Sequence, residues 1–379
     1  MADLAAFTLH PLAQILGPSG AAVSAAAAAS IIDPAQGASA IHAALAQGGG
    51  VRIGLPQAPA PATDGFETLT SGSTGTPRRI HRSIASWTRS FAVHAQLFNI
   101  GPGRRVAVLG SLEHSLSLYG AMEAACLGAE LHLLAGLRAD RQSVALAERA
   151  VELLYATPAQ LRGLAEPMPE LRLVLVGGSK LDAALRAHLH QLAPQADVRE
   201  FYGAAEASFI TLADAQTPEA SVGRAYPGVE IDIRNGEVWV KSPYLFNGYA
   251  SDPGGAHWHD GWLSVGEMGR LQGGELYLHG RKGRMVTVAD HNVFPEEIEA
   301  LMETLPGVQR AAILAEPDPK RGHVLHAVVQ GDPAQEAALM AALRAQLGAM
   351  KAPRSIRFLT DWPVTSAGKT DLAAVRGLR

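Results

Sequence analysis

The chain has 379 residues, of which 47% are hydrophobic and 18% charged, which suits a folded protein of two domains with sizeable cores. A formal charge of −4 leaves no basic footprint for nucleic acid. Cys126 is the only cysteine, which excludes an intrachain disulfide framework and a cysteine zinc site; within Ala124-Ala125-Cys126-Leu127 it reads as a small buried hydrophobe.

Residues 1–64 are rich in Ala, Gly and Pro, with Gly48-Gly49-Gly50 and Pro56 to Pro61 as connectors between short helical segments. No basic residue precedes Arg52, so no secretory leader is expected, and Ala21 to Ala29 is too short and weakly apolar to span a bilayer. The expectation is a cytoplasmic enzyme. Next comes Thr70-Ser71-Gly72-Ser73-Thr74-Gly75-Thr76-Pro77-Arg78-Arg79. Small residues let backbone N–H groups approach phosphate oxygens, hydroxyls add donors, and the arginines can neutralise a departing polyphosphate. The stretch lacks the Gly-Lys-Ser/Thr ending of a Walker loop, and such a cluster on its own is more often a plain surface turn.

From about 104 to 201, apolar β-type runs alternate with helical patterns. Strands are predicted at Arg105–Gly110, Glu130–Leu134, Val151–Tyr155, Leu171–Val176 and Asp197–Phe201. Helices are predicted at Ser117–Leu127, Gln142–Ala150 and Leu181–Leu192. That rhythm implies a parallel sheet covered by helices. After Tyr202, short alternating runs (Val229–Arg234, Gly236–Val240, Leu276–His279) separated by Gly and Pro imply antiparallel β structure, with His257-x-His259 in a loop. The last hundred residues read as a small α+β unit: helix Pro295–Leu305, strands Gln309–Ala315 and His323–Val329, helix Ala334–Gly348. The expected architecture is α/β. A large N-terminal domain (1–280) has mostly parallel sheets covered by helices, a shortened region at 1–64 and a small antiparallel subdomain at 222–279. A small mobile α+β domain (281–379) follows, with the boundary at Arg281–Arg284.

Seven segments in order carry a resemblance. They are Thr70–Arg79; Leu112-Glu113-His114; Gly177-Gly178-Ser179; Phe201 to Glu206; Gly261 to Glu267; Gly280-Arg281-Lys282; and Pro363-Val364-Thr365-Ser366-Ala367-Gly368-Lys369. Their order and spacing resemble the adenylate-forming superfamily of acyl-CoA synthetases, luciferases and peptide-synthetase adenylation domains, over roughly Thr68 to Arg379. The resemblance implies Mg²⁺- and ATP-dependent conversion of a carboxylic acid to an acyl-adenylate, followed by transfer to a thiol. Coenzyme A is the first expectation for that thiol and the phosphopantetheine of a carrier protein the second. A nucleotide- or acyl-binding module that has lost catalysis is the reading from another class.

The same resemblance implies site roles. Thr70, Ser71, Gly72, Ser73, Thr74, Gly75 and Thr76, with Arg78, would hold the pyrophosphate, Arg78 replacing the lysine found in many members. Glu206 would ligate Mg²⁺, a hard-cation task for carboxylate oxygen. Gly177, Gly178, Ser179, Tyr202 and Gly203 would line the adenine pocket. Glu267 would accept from the ribose hydroxyls, Arg281 would touch ribose or phosphate, and Lys369 would reach the α-phosphate. Only six lysines occur against twenty-six arginines, which singles out this one. His114 would line the acyl pocket, against the plain alternative of a core histidine.

Besides Arg78, four places depart from the family pattern. Ala205 replaces a threonine that donates to phosphate, a loss of about 1.5–3 kcal/mol. Glu267 replaces aspartate. Ala289-Asp290 stands where two glycines are usual, beside the expected thiol tunnel. Gly283 or Arg284 replaces the usual hinge aspartate. With no acidic side chain to grip an amino group, the expected substrate is a non-amino acid, aryl or medium acyl. The short N-terminal region further raises the expectation of a homo-oligomer contact that completes the core.

Overall fold

A computed structural model describes residues 6–23, 27–54, 65–70, 78–250, 255–365 and 369–378. Two compact units emerge. The first comprises residues 1–231, 240–265 and 272–276, and the second comprises 232–239, 266–271 and 277–379. The antiparallel region expected at 222–279 is therefore divided between them.

In the first unit, parallel strands lie in the spatial order Gln14–Leu16, Glu130–Leu133, Arg105–Val108, Leu153–Ala156, Leu173–Val176 and Asp197–Ala204. In the central strands Arg105–Val108, Leu153–Ala156 and Leu173–Val176 the interior positions are apolar and buried on both faces, which is why the sequence shows continuous rather than alternating hydrophobic runs there. From Arg105–Val108 the chain goes to Glu130–Leu133 on one side and then to Leu153–Ala156 on the other. That reversal makes a topological switch point, where ligands bind beyond the carboxyl ends of strands. The sheet continues antiparallel into Ser208–Leu212 and Arg224–Ala225.

A second sheet has the order Gly248–Tyr249, Arg79–Ser83, Gly65–Leu69, Val51–Ile53, Ile31–Ile32. Residues 1–64 thus add strands to both sheets, through Gln14–Leu16 and through Ile31–Ile32 and Val51–Ile53, so this region is more than helices and connectors. The helix Ser115–Leu127 is buried from Ser117 onward, its Ala and Gly residues permitting close approach. A Cβ at Gly120 would meet the Tyr155 ring at 2.8 Å. The apolar layer around this helix holds Phe66, Trp87, Phe91, Tyr119 and Phe209, while Ala139–Glu148 and Ala183–Leu192 cover the other face of the parallel sheet. His257–His259 is a short exposed strand paired with Trp262–Ser264, a correction to the expected loop; the two-residue Asp260-Gly261 turn, both at positive φ, closes the hairpin.

In the second unit, Gly322–Gly331 pairs with Val308–Asp318, Val286–Val288 and, in parallel, Ser355–Phe358. The helices Pro295–Glu303 and Glu336–Lys351 supply Ile298, Met302, Leu339 and Leu343 to its core. The latter helix breaks at Gly348, whose φ of 75° is non-helical. Gly283 carries no left-handed φ, and a Cβ there would meet nothing within 4 Å, so nothing local requires glycine at this position. Its neighbour Arg284 is clamped by both Glu299 carboxylate oxygens, at 3.0 and 2.6 Å. Among the described residues, no helix is long and apolar enough to cross a membrane.

Candidate active site

The strand Gly65–Leu69 and the strand Arg79–Ser83 are antiparallel neighbours, so the segment between them must reverse direction. Thr70 and Arg78 close its base: Thr70 N–H donates to the Arg78 carbonyl at 2.8 Å, and Arg78 N–H donates to Thr70 Oγ1 at 3.2 Å. Ser71 to Thr76 lie outside the described residues. His114 is the N-cap residue of the buried helix, half-buried, and the adjacent Ser115 Oγ donates to the Leu69 carbonyl at 3.1 Å. The start of that helix is thereby tied to the base of the glycine-rich segment.

Gly177 ends the strand Leu173–Val176, and Phe201 lies on its face. A Cβ at Gly177 would meet the Phe201 ring at 2.2 Å, and Gly178 needs its φ of 97°. Tyr202 and Gly203 follow on the neighbouring strand, where a register shift occurs between them. A Cβ at Gly203 would sit 2.1 Å from the Ser208 carbonyl oxygen, so the turn Ala204–Ala207 closes only over glycine. That turn displays Glu206.

Glu206 is held at two points. Its carbonyl accepts from Phe246 N–H at 2.8 Å, and its Oε1 accepts from the Tyr249 hydroxyl at 2.9 Å. Tyr249 arrives here because Gly248–Tyr249 pairs with Arg79–Ser83, with Tyr249 opposite Ile80. The Arg78 guanidinium stands 5.9 Å from the Tyr249 ring centroid, within cation–π range. Burial, and secondly the Glu206 charge, raise the Tyr249 pKa, so it stays a neutral donor. Arg78, Tyr249 and Glu206 therefore form one group at the start of the strand Arg79–Ser83.

Beneath them, Arg82 is fully buried. Its guanidinium donates to the Ala205 and Tyr244 carbonyls, to Ser208 Oγ at 2.7 Å and, through Nε, to Ser86 Oγ at 3.2 Å. Burial pulls its pKa down to about 9, partly offset by the attraction of Glu206, so it remains charged at neutral pH. Sequence reasoning missed Arg82 and Tyr249. Arg82 lies two residues from buried Ile80 on a strand, and that alternation is the signal that places it on the inner face.

In the second unit, Arg281 Nε donates to Glu267 Oε1 at 2.9 Å, so the two residues expected near ribose are brought together. Lys369 is exposed, and its carbonyl accepts from Thr365 N–H at 2.8 Å beside a bridge between Val364 and Thr370. Ser366, Ala367 and Gly368 lie outside the described residues. Ala289 and Asp290 form the two-residue turn between Val286–Val288 and His291–Val293, with φ of 47° and 65°. The backbone there is the one two glycines would adopt freely. Among the described residues, no three His, Cys, Asp or Glu side chains group as a metal cage. The Glu206 carboxylate uses one oxygen for Tyr249 and fits a hard cation that takes its other ligands from phosphate and water.

Comparison with known proteins identifies the family. Residues 55–250 match the AMP-binding enzyme family, and residues 297–369 match the AMP-binding enzyme C-terminal domain. An uncharacterized acyl–CoA ligase, YhfT of Bacillus subtilis, is 32% identical over 328 residues, covering 81% of this chain and 67% of its own length. Indoleacetate–CoA ligase of Aromatoleum aromaticum is 27% identical over 374 residues, covering 91% of this chain and 73% of its own. Among solved structures, the amide bond synthetase McbA from Marinactinospora thermotolerans is 26% identical with a TM-score of 0.74, covering 86% of this chain and 75% of its own. O-succinylbenzoate CoA synthetase of Bacillus subtilis with its acyl-adenylate has a TM-score of 0.72 over 82% of this chain and 68% of its own, and at 22% identity it attests the fold alone. With the family matched over more than half of its length, the chain belongs to the AMP-binding enzymes of the adenylate-forming superfamily.

Proposed function

We propose that the protein is an AMP-forming acid–thiol ligase that activates a non-amino carboxylic acid with ATP and transfers the acyl group to coenzyme A. In the first half-reaction a carboxylate oxygen forms a bond to the α-phosphorus, and the bond to the bridging oxygen of pyrophosphate breaks. In the second, a thiolate attacks the acyl carbonyl and AMP leaves with the electron pair.

The observation that carries this reading is the grouping of Arg78, Tyr249 and Glu206 at the start of the strand Arg79–Ser83. Negative charge grows on the departing pyrophosphate, and Arg78 is the cation assigned to stabilise it. Magnesium held by Glu206 would add a second positive charge to the same phosphates. Tyr249 keeps the Glu206 carboxylate turned to the site. Glu267 and Arg281 are assigned the ribose, Gly177 to Ser179 with Tyr202 and Gly203 the adenine, His114 the acid, and Lys369 the α-phosphate during adenylation.

The test is pyrophosphate release across a panel of aryl and medium-chain acids, with AMP formation then measured in parallel with CoA, with a pantetheinylated carrier protein and with an amine. Acid-dependent pyrophosphate release and a CoA thioester are expected. Tight ATP binding without turnover on any acid would support the binding-module reading instead. The amine arm is included because McbA, 26% identical, is an amide bond synthetase.

A further inference from the structure

We propose that Arg82 is a positioning residue for the reaction, a buried cation that fixes where the Glu206 carboxylate sits. The proposal rests on the assignment of Glu206 to magnesium.

An unmatched cation in a protein interior is costly to desolvate, and an arginine in a core is retained only with a full set of acceptors. Arg82 has such a set, and its composition is informative. None of its four hydrogen-bond acceptors is a carboxylate; two are backbone carbonyls and two are hydroxyls. The carbonyls belong to two segments distant in sequence: Ala205, immediately before Glu206, and Tyr244, which leads into Phe246 and Tyr249. Those same segments meet again through Phe246 N–H on the Glu206 carbonyl and the Tyr249 hydroxyl on Glu206 Oε1.

One guanidinium therefore holds both halves of the cradle that orients Glu206. It does so from the strand that leaves the glycine-rich segment, four residues beyond Arg78. The fork geometry matters, because Nη1 serves Ala205 while Nη2 serves Ser208 and Tyr244. An ammonium cannot span all three. The Glu206 charge in turn favours the cationic form of Arg82. The Ala205 side chain offers no hydroxyl to this turn, so its position depends on the carbonyl contact from Arg82.

The experiment measures ATP affinity by calorimetry on the full chain, with saturating Mg²⁺ and with EDTA. The ratio of the two dissociation constants isolates what the metal site contributes, and it needs no knowledge of the acid. Arg82→Met is expected to shrink that ratio by roughly tenfold or more, while affinity in EDTA changes less than about threefold. Arg82→Lys should recover part of the ratio.

If Arg82→Met does not fold, Ser208→Ala removes one acceptor alone and should shrink the ratio by about threefold in a protein that still folds, at some cost in melting temperature. Arg82→Met and Glu206→Gln combined should lose no more than Glu206→Gln by itself. Equal weakening in Mg²⁺ and EDTA, full additivity of the pair, or an unchanged ratio in folded Arg82 variants would overturn the proposal. If Glu206→Gln itself leaves the ratio intact, the magnesium assignment fails instead.

Discussion

Tyr249 donates its hydroxyl to Glu206 Oε1 at 2.9 Å, across 43 positions of sequence, and so places an aromatic ring between that carboxylate and the Arg78 guanidinium. Tyr249→Phe removes the donor and keeps the ring. A hydrogen bond to a charged group is worth roughly 1.5–3 kcal/mol when buried and less at this half-buried site, so about a tenfold rise in the Mg²⁺ needed for half-maximal pyrophosphate release is expected. The melting temperature should move little. A Mg²⁺ titration superimposable on that of the unaltered protein would contradict the positioning role of Tyr249.

Glu123, His94, Tyr119 and Tyr155 form a polar cluster sealed within the apolar layer of the first unit. Tyr119 donates to Glu123 Oε1 at 3.1 Å, His94 Nδ1 lies 2.8 Å from the same oxygen, and Tyr155 donates to Oε2. Burial, and then the Glu123 charge, push both phenols well above their ordinary pKa, and burial raises the Cys126 thiol to about 12. These groups stay protonated in the fold after their unfolded counterparts have ionised. Their contribution to stability is therefore complete below about pH 9 and is lost as pH rises past the unfolded values of thiol and then phenol. Once the unfolded side chain is ionised, each costs about 1.4 kcal/mol per pH unit. Urea unfolding between about pH 8 and 11 should show a falling free energy from about pH 9 upward. A flat profile through pH 10 would count against the burial of the cluster.

The central parallel strands are legible because both of their faces are buried, which writes unbroken apolar runs such as Leu173-Val174-Leu175-Val176 into the sequence. The strands Ile31–Ile32 and Val51–Ile53 are not, since two or three residues carry no period. Gly203 is visible as a residue but not as a necessity, because the atom that excludes a Cβ is the Ser208 carbonyl brought in by a register shift. Arg82 is hidden more completely. It ends a basic run from Arg78 that reads as a solvated surface, and its burial depends on Ala205 and Tyr244, which lie 123 and 162 positions away. The order of seven motifs pointed to Glu206 and Arg78. What holds Glu206 in place comes from packing that no local pattern records.

Ala289 occupies a left-handed backbone position, at φ of 47°, in a two-residue hairpin turn. A non-glycine residue there costs roughly 1–2 kcal/mol, against about 0.5–1 kcal/mol of extra unfolded-chain entropy for glycine. Ala289→Gly is thus expected to stabilise the second unit by about 0.5–1 kcal/mol while keeping the N–H bond to the Arg321 carbonyl. Asp290→Gly should do less, since aspartate tolerates this region better. Differential scanning calorimetry on the full chain reads the shift, and destabilisation by Ala289→Gly would show that the turn is not left-handed at that position.

Lys369 ends the segment whose carbonyl bond to Thr365 folds the chain back beside Val364 and Thr370, so its position is set by a hairpin rather than by a solvated tail. If its ammonium serves the α-phosphate, its charge matters while the phosphorus is under attack and not while the thiol attacks carbon. The two half-reactions should then respond differently to Lys369→Ala. Acid-dependent pyrophosphate release should fall by about a hundredfold or more, in the range seen when a transition-state donor is removed. Conversion of a supplied acyl-adenylate and CoA to thioester and AMP should stay within about threefold, because a group absent from that transition state contributes nothing to it. Lys369→Arg separates charge from shape: a guanidinium retains the charge with a different donor geometry and should restore only part of the first rate. Parallel loss in both half-reactions would mean that Lys369 acts through the fold of its unit, and the α-phosphate assignment would have to pass to another cation.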